Sequence, residues 1–348
     1  MAIFHLSHTD LDGYGAQFVT NFYFDNIKFF NSNYGKEINE KFAQILNLID
    51  TEFANETNLI LITDLNLTLS QCLEFQNLAG EKNARVLLLD HHQSGEECAK
   101  KHGWYLLDSS RCATKITYDF FSDLYGKNET LDKFVRVVNA VDIWLDKDSE
   151  FELGKVCLGL VSGAKEINKV MFEKESFSYI QFLISAIPNF FDIENSHIAL
   201  DNAIHGLKKE FFKTEKDDTL SNLISNFVVG KLSAQKDKFI IKFGEKTGIL
   251  TYNIGNTSVI GNDFLVKNPD VDFFIDVTSK KTLSFRANGN ANVSEMAKIL
   301  VGGGGHINAS GGMFAGFKDS NSYENIKTQI VNLIDKKLSE TKENQNEK

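Results

Sequence analysis

The sequence predicts an α/β protein with an N-terminal parallel sheet covered by helices on both faces, a helical connector and a smaller C-terminal domain of mixed α/β structure. Three observations predict it. Over the first 110 residues, short apolar runs alternate with segments of helical spacing. From Ala113 to about Phe212 the pattern is mostly helical. From about Phe227, strand-like runs return. Continuous apolar strands alternating with helices indicate a parallel sheet buried on both faces.

Ala2–Leu6 reads as the first strand and Gly15–Tyr23 as the helix after it. Ile27–Phe30, Leu59–Ile62, Arg85–Leu89 and Trp104–Leu107 are further strands, with helices expected at Glu37–Ile49 and Leu69–Leu78. Ala113–Tyr125 and Leu131–Trp144 are helical, and 150–213 holds further helices and a connector with Pro188. Later strands are expected at Phe239–Phe243, Gly248–Tyr252, Val271–Val277 and Leu283–Arg286. A short helix fits Ser294–Leu300 and a last one Tyr323–Leu338. These elements divide the chain into 1–190, a connector 191–225, a second domain 226–338 and a polar tail 339–348 expected to be flexible. With 348 residues, two domains is also what length alone suggests.

Composition narrows the function. The net charge is −10, and only four arginines occur, Arg85, Arg111, Arg136 and Arg286. A protein that coats long nucleic acid carries a basic footprint, which this chain lacks. The four cysteines form no C-x-x-C pair, against a zinc site or a disulfide framework. No signal peptide and no 18-residue apolar run is present, so a cytoplasmic protein with no membrane association is expected.

Three strands end in metal-type ligands. His8, Asp10 and Asp12 follow the first, Asp64 follows Leu59–Ile62, and Asp90, His91 and His92 follow Arg85–Leu89. In an open parallel sheet, functional residues gather beyond the carboxyl ends of the strands. Asp142 sits in the apolar stretch Val138–Trp144, where a carboxylate is costly unless paired or metal-bound. Each feature alone has an ordinary reading, such as an aspartate capping a helix. Together Asp10, Asp12, Asp64 and Asp142 balance the charge of two divalent cations, with His8 and His91 as imidazole donors. Mixed oxygen and nitrogen donors suit Mn²⁺, with Mg²⁺, Co²⁺ or Fe²⁺ as alternatives. In the C-terminal half, Gly302–Gly305 run into His306, and Arg286 ends a strand. Successive glycines let backbone N–H groups approach an anion, and a guanidinium suits phosphate. The residues alone leave two readings open, a flexible turn beside a solvated strand end, or a phosphate or nucleotide cradle made by Gly303, Gly304, Gly305, His306 and Arg286, with Arg111 a further phosphate candidate.

Asp10-x-Asp12-Gly13, Asp64, Asp90-His91-His92 and Asp142 resemble, in order and spacing, the four motifs of the DHH phosphoesterase superfamily. Asp108–Thr114 resembles the segment after the triplet. Thr257–Asn262, Leu283–Arg286, Asn292–Ala297 and Gly302–Gly311 resemble the DHH-associated domain, so the likeness spans nearly the whole chain. It implies a catalytic domain over 1–190 and a substrate-binding domain over 226–338. It implies that His8, Asp10 and Asp64 hold one metal, and that Asp12, Asp64, His91 and Asp142 hold a second, with Asp64 bridging. His92, backed by Asp90, would face the substrate phosphate or the leaving group. The first motif, His8-x-Asp10-x-Asp12, is two residues shorter than the His-x-x-Pro-Asp-x-Asp of many members that cut cyclic dinucleotides. It resembles the oligoribonuclease B and cyclic-nucleotide phosphodiesterase branch.

The expected activity is two-metal hydrolysis of short oligonucleotides, cyclic mononucleotides or linear signalling dinucleotides, in a cleft between the two domains. Alternatives are a RecJ-type single-strand exonuclease, an adenosine 3′,5′-bisphosphate phosphatase and a non-catalytic nucleotide sensor. The expected partner is a small nucleotide, a homodimer being allowed and long-duplex binding not expected.

Overall fold

The computed structural model describes residues 1–346. The chain divides into two compact units. The first comprises Met1–Ala164 and Ile180–Leu207; the second comprises Lys165–Tyr179 and the chain from Lys208 onwards. The stretch 191–225, expected as a connector, is shared between them. Leu200 is buried in the first unit and Phe212 in the second.

The first unit opens with β1 (Ala2–Ser7), α1 (Leu11–Tyr23), β2 (Ile27–Asn31), α2 (Lys36–Glu52), β3 (Asn58–Thr63) and α3 (Leu69–Glu81). It continues with β4 (Ala84–Asp90), α4 (Glu96–Lys101), β5 (Tyr105–Leu107), α5 (Ala113–Tyr125), α6 (Glu129–Asp142) and α7 (Phe151–Ser162). The helices α8 (Glu173–Ala186) and α9 (Ser196–Phe212) each straddle a unit boundary. Pro188 lies in a single 3₁₀ turn between them.

The five strands form one parallel sheet in the order β2-β1-β3-β4-β5. Alternate residues of β1 and β3 explain the two buried faces. Phe4, Leu6, Ile60 and Ile62 pack with Ile38, Phe42 and Ile45 of α2 and Phe75 of α3. Phe42 and Phe75 stack with ring centroids 3.7 Å apart. Ile3 and Leu61 are buried on the opposite face. Local chemistry sets helix ends: Thr68 and Gln71 form a reciprocal capping box at α3, and Gly126, at φ 99°, ends α5.

Register positions the site. Ser7 pairs with Thr63, and Thr63 with Leu89. His8, Asp64 and Asp90 are each the next residue, so they emerge in one row. The strand order reverses direction between β1 and β3, the place where open α/β sheets bind ligands.

The second unit contains α10 (Leu220–Ala234), α11 (Lys236–Phe239), β6 (Ile240–Phe243), β7 (Lys246–Tyr252), α12 (Thr257–Lys267), β8 (Phe273–Val277) and β9 (Thr282–Ala287). Then follow α13 (Val293–Val301), β10 (Gly304–His306), β11 (Ala309–Met313) and α14 (Tyr323–Asn346). Its mixed sheet runs β10-β11-β9-β8-β7-β6, with β7 and β8 parallel and the other neighbours antiparallel. Phe239 ends α11 instead of opening the strand expected there, and β8 begins two residues after Val271. The segment 339–346, expected as a flexible tail, continues α14. It has no glycine or proline, and Lys337 pairs with Glu340 at 2.8 Å. Residues 347–348 lie outside the described residues. Among the described residues, no helix is long and apolar enough to cross a membrane.

Candidate active site

Asp10 caps the N-terminus of α1. Its Oδ1 accepts from the Gly13 N–H at 3.0 Å, and its Oδ2 lies 2.8 Å from His8 Nδ1. Asp12, in the first turn of α1, is 1% exposed and does a second job. Its two oxygens accept the N–H groups of Ala113 and Thr114, each at 2.7 Å, at the N-terminus of α5. Asp64 leaves β3 with φ 56°, the left-handed region that a non-glycine residue occupies only when its surroundings impose it. Its N–H donates to Leu89 O.

His91 is the hub. Its Nε2 lies 3.2 Å from Asp64 Oδ1 and 3.7 Å from Asp12 Oδ2, and its Nδ1 lies 3.7 Å from Asp142 Oδ2. Donor atoms from three residue sets each fall within 4.8 Å of one another: His8, Asp10 and Asp64; Asp64, His91 and His92; and Asp12, Cys112 and Asp142. Asp64 belongs to two of them. Thus the residues read from the sequence as ligands do meet at one sheet edge.

The arrangement fits divalent cations. Asp64 Oδ2 is buried without a hydrogen-bond partner, an arrangement that is costly unless a cation is bound. Burial, then the nearby Asp12 carboxylate, pushes Asp64 well above the usual carboxylate range. The same two causes push Asp142 up to about 8. Burial also raises Asp12, against the opposing pull of His91. Buried carboxylates crowded together, with their pKa values raised by burial and by one another, mark a site short of positive charge. For His8, burial opposes charging, but the Asp10 and Asp64 carboxylates outweigh it and lift the imidazole to about 10. Burial would raise Asp10 too, yet its His8 hydrogen bond brings it to about 2.

Asp90 and His92 form a separate pair. Asp90 is fully buried; its Oδ1 lies 2.7 Å from His92 Nδ1, and its Oδ2 accepts from Tyr105 OH at 2.6 Å. The Asp90 hydrogen bond raises the His92 pKa, against desolvation. His92 Nε2 lies 2.9 Å from Tyr34 OH. Neither Tyr34, Tyr105 nor Cys112 was singled out from the sequence. Tyr34 follows β2 and could have been found by extending the strand-end rule from metal-type ligands to tyrosine. Cys112 is buried at the start of α5, and burial, then Asp12, pushes its thiol well up.

Arg111 is engaged otherwise than expected. Its guanidinium donates to Asp108 at 2.7 Å and to Asp119, beside Lys115. In the second unit, Arg286 donates to Phe285 O and Ser258 Oγ, both at 2.7 Å, and pairs with no carboxylate among the described residues. His306 is exposed on β10. Gly302, at φ 63°, ends α13, and only Gly304 and Gly305 of the glycine run lie in β10. A Cβ on Gly303 would stand 2.2 Å from Gly311 O, and one on Gly305 2.6 Å from Ala309 O, whereas Gly304 faces open space. Close pairing of β10 with β11 therefore accounts for two of the three glycines without any ligand.

No protein-family model matches the chain. Over 345 residues, 96% of this chain and 99% of the other, it is 42% identical to a 3′,5′-cyclic-nucleotide phosphodiesterase of Helicobacter pylori (strain ATCC 700392 / 26695). The crystal structure of an uncharacterized protein from Helicobacter pylori G27 matches with a TM-score of 0.89 and 41% identity, over 97% of this chain and 99% of that chain. The exonuclease RecJ bound to manganese matches at a TM-score of 0.35 and 14% identity, over 96% of this chain and 90% of that chain, too remote to carry an argument. With its motifs converging at one sheet edge and such a relative along nearly its full length, the chain belongs to the DHH phosphoesterase superfamily, a hydrolase of the same family as the H. pylori phosphodiesterase.

Proposed function

We propose that this nucleotide phosphodiesterase depends on two divalent metal ions and acts on small nucleotides, from 3′,5′-cyclic mononucleotides and dinucleotides to short oligonucleotides. The observation that carries the reading is Asp64 Oδ2, buried without a hydrogen bond and with His8 Nδ1 no nearer than 3.6 Å, at the centre of the aspartate and histidine cluster. His8, Asp10 and Asp64 would hold one ion; Asp12, Asp64, His91 and Asp142 would hold the other. Mn²⁺ suits this donor set. Bound there, divalent ions polarise the phosphoryl oxygens and acidify a water.

The remaining chemistry falls to the chain. Hydrolysis joins a water oxygen to phosphorus and breaks the P–O ester bond, whose oxygen keeps the bonding pair and takes a proton. His92 Nε2 is the group proposed to hand over that proton, with Asp90 fixing Nδ1. In the second unit, Arg286 and His306 are proposed to grip a nucleotide phosphate, Ser258 steadying the guanidinium. Arg111 is left out of this set because Asp108 and Asp119 already take its charge. A net charge of −10 disfavours a long polyanion.

The test is a substrate panel with Mn²⁺ and after chelation: 3′,5′-cyclic AMP, dinucleotides through long oligomers, and adenosine 3′,5′-bisphosphate, at two ionic strengths. Metal-dependent kcat/KM should peak on the small nucleotides with a shallow salt slope. Efficiency that rises with length and falls steeply with salt, near −0.7 per neutralised phosphate, would instead identify a strand-tracking exonuclease.

A further inference from the structure

We propose that the exposed indole of Trp144 is the platform on which the base of a bound nucleotide stacks. The inference rests on the small-nucleotide reading above and names the group that holds the base.

The helix α6 ends in a turn that favours glycine and contains tryptophan instead. Asp142, a proposed metal ligand, is its last residue, and Ile143 caps it. The Leu145 N–H donates to Ala140 O at 2.7 Å, and the Trp144 N–H donates to Val141 O at 3.3 Å. These two bonds make a Schellman motif, which places a left-handed residue just past the cap, usually glycine and sometimes asparagine. Trp144 occupies that position at φ 56°. Among the described residues, six other than glycine have positive φ. Asn83, Asn195 and Asn253 adopt it readily, and Lys281 lies in the turn between β8 and β9. The other two are Asp64, a proposed metal ligand, and Trp144, two residues beyond another. A bulky side chain in this region is strained, and such strain gathers at ligand sites.

Packing does not explain the tryptophan. The residue is 64% exposed. Its ring meets Phe151 edge to face, with centroids 5.0 Å apart at 83°. That contact orients the indole and leaves most of it open. A lone exposed aromatic is ordinary on a surface. One held where glycine is favoured, beside a proposed metal ligand, is not.

The location suits a base. Cα atoms two residues apart lie within about 7.6 Å, two steps of about 3.8 Å, so Trp144 adjoins Asp142. The Asp142 side chain is 22% exposed, whereas those of Asp12 and Asp64 are 0% and 3% exposed. The cluster is thus open to solvent at Asp142. A nucleotide whose phosphate rests on the cluster carries its base one sugar further out, within reach of a ring so placed. Every base has a π-face, so the platform adds affinity without reading sequence.

The experiment uses the Mn²⁺-loaded full chain and compares 5′-AMP with ribose 5-phosphate, which lacks the base. By calorimetry, Trp144→Ala should weaken 5′-AMP about ten- to hundredfold and ribose 5-phosphate less than about twofold, with Trp144→Phe in between. On 3′,5′-cyclic AMP or an RNA dinucleotide, whichever wild type turns over, Trp144→Ala should raise KM by a similar factor, with kcat and metal content near wild type. Trp104→Phe leaves Trp144 as the one tryptophan of the chain. In that background 5′-AMP should quench the indole fluorescence and ribose 5-phosphate should not. Trp144→Gly should lose as much 5′-AMP affinity as Trp144→Ala yet melt about 2–4 °C higher, because glycine relieves the left-handed backbone. Wild type that binds 5′-AMP no better than ribose 5-phosphate, equal losses on both ligands, no loss on either, or an unquenched indole overturns the proposal. A glycine variant that melts no higher than the alanine variant removes the strain on which it stands and overturns it likewise. If the Mn²⁺-loaded wild type turns over no nucleotide, the small-nucleotide reading itself fails. If it does and Trp144→Ala leaves KM unchanged, only the role given to Trp144 fails.

Discussion

Asp12 is both a proposed metal ligand and a backbone acceptor, and metal-free stability separates the two. Asp12→Asn and Asp142→Asn each replace one carboxyl of the crowded cluster by a neutral amide. Only Asp12 takes two buried N–H groups, those of Ala113 and Thr114 at 2.7 Å. Asparagine retains one oxygen, so one N–H at the start of α5 faces an amide NH₂ and loses its acceptor. A buried donor left unsatisfied costs about 1–3 kcal/mol. Losing the negative charge at a helix N-terminus adds roughly 0.3–1 kcal/mol. Asp142 accepts no backbone bond among the described hydrogen bonds, so its substitution relieves repulsion at the cost only of its 3.7 Å contact with His91. In chelator, Asp142→Asn should melt at or above wild type, and Asp12→Asn should lie below Asp142→Asn by about 1–4 kcal/mol. For a unit of this size that is on the order of 2–16 °C in Tm. Circular dichroism melts of the full chain in EDTA read the difference. If Asp12→Asn melts as high as Asp142→Asn, the Asp12 bonds to α5 do not contribute to stability and the reasoning fails.

Asp64→Ala should cost both metal equivalents and Asp142→Ala about one; two bound metals with near-normal activity in Asp64→Ala would exclude a shared carboxylate. Arg286→Ala and His306→Ala should raise KM for nucleotides at unchanged metal content, and metal loss in either would point to a structural role instead. Gly303→Ala should destabilise the second unit by about 1–3 kcal/mol, because its Cβ would overlap Gly311 O, whereas Gly304→Ala should melt like wild type. Burial lifts the Asp276 carboxyl to about 6, against donors on Thr251, Ile254 and Thr257. A folded pKa above the unfolded 3.8 means stability is lost as pH rises from about 4 to 6. Asp276→Asn should thus gain up to about 3 kcal/mol at pH 7 and nothing below pH 4, and a pH-independent difference in urea melts would contradict this.

The parallel sheet was legible because burial on both faces demands runs such as Leu59–Ile62, which few other structures explain. The metal-type residues were legible because each stands one to six residues past such a run or, for Asp142, within an apolar helix. The hairpin of β10 and β11 was not. Glycine has poor strand propensity and no side chain to alternate, so Gly304–His306 looks like a loop until Gly311 is found opposite Gly304. The helix α12 was matched only as a motif, since its apolar residues do not form a clear stripe. Tyr34 and Cys112 were missed for another reason: a tyrosine in a loop and a lone cysteine have no local pattern, and only the fold brings them to His92 and Asp12.

The way the chain is shared between its two units bears on ancestry. Met171, Phe172 and Tyr179 come from the short stretch before Ile180, yet they are buried in the second unit's core. Phe172 packs on Phe239, Tyr179 on Phe212, and Met171 Sδ accepts the Tyr252 N–H. A genetic exchange that joined a foreign first half to this chain at Lys208 would deliver the second unit without those three side chains and leave its interior open. No single crossover point transfers either unit whole. The two halves of this protein are therefore expected to descend as one gene, and homologues should show a common branching order when trees are built from each unit separately.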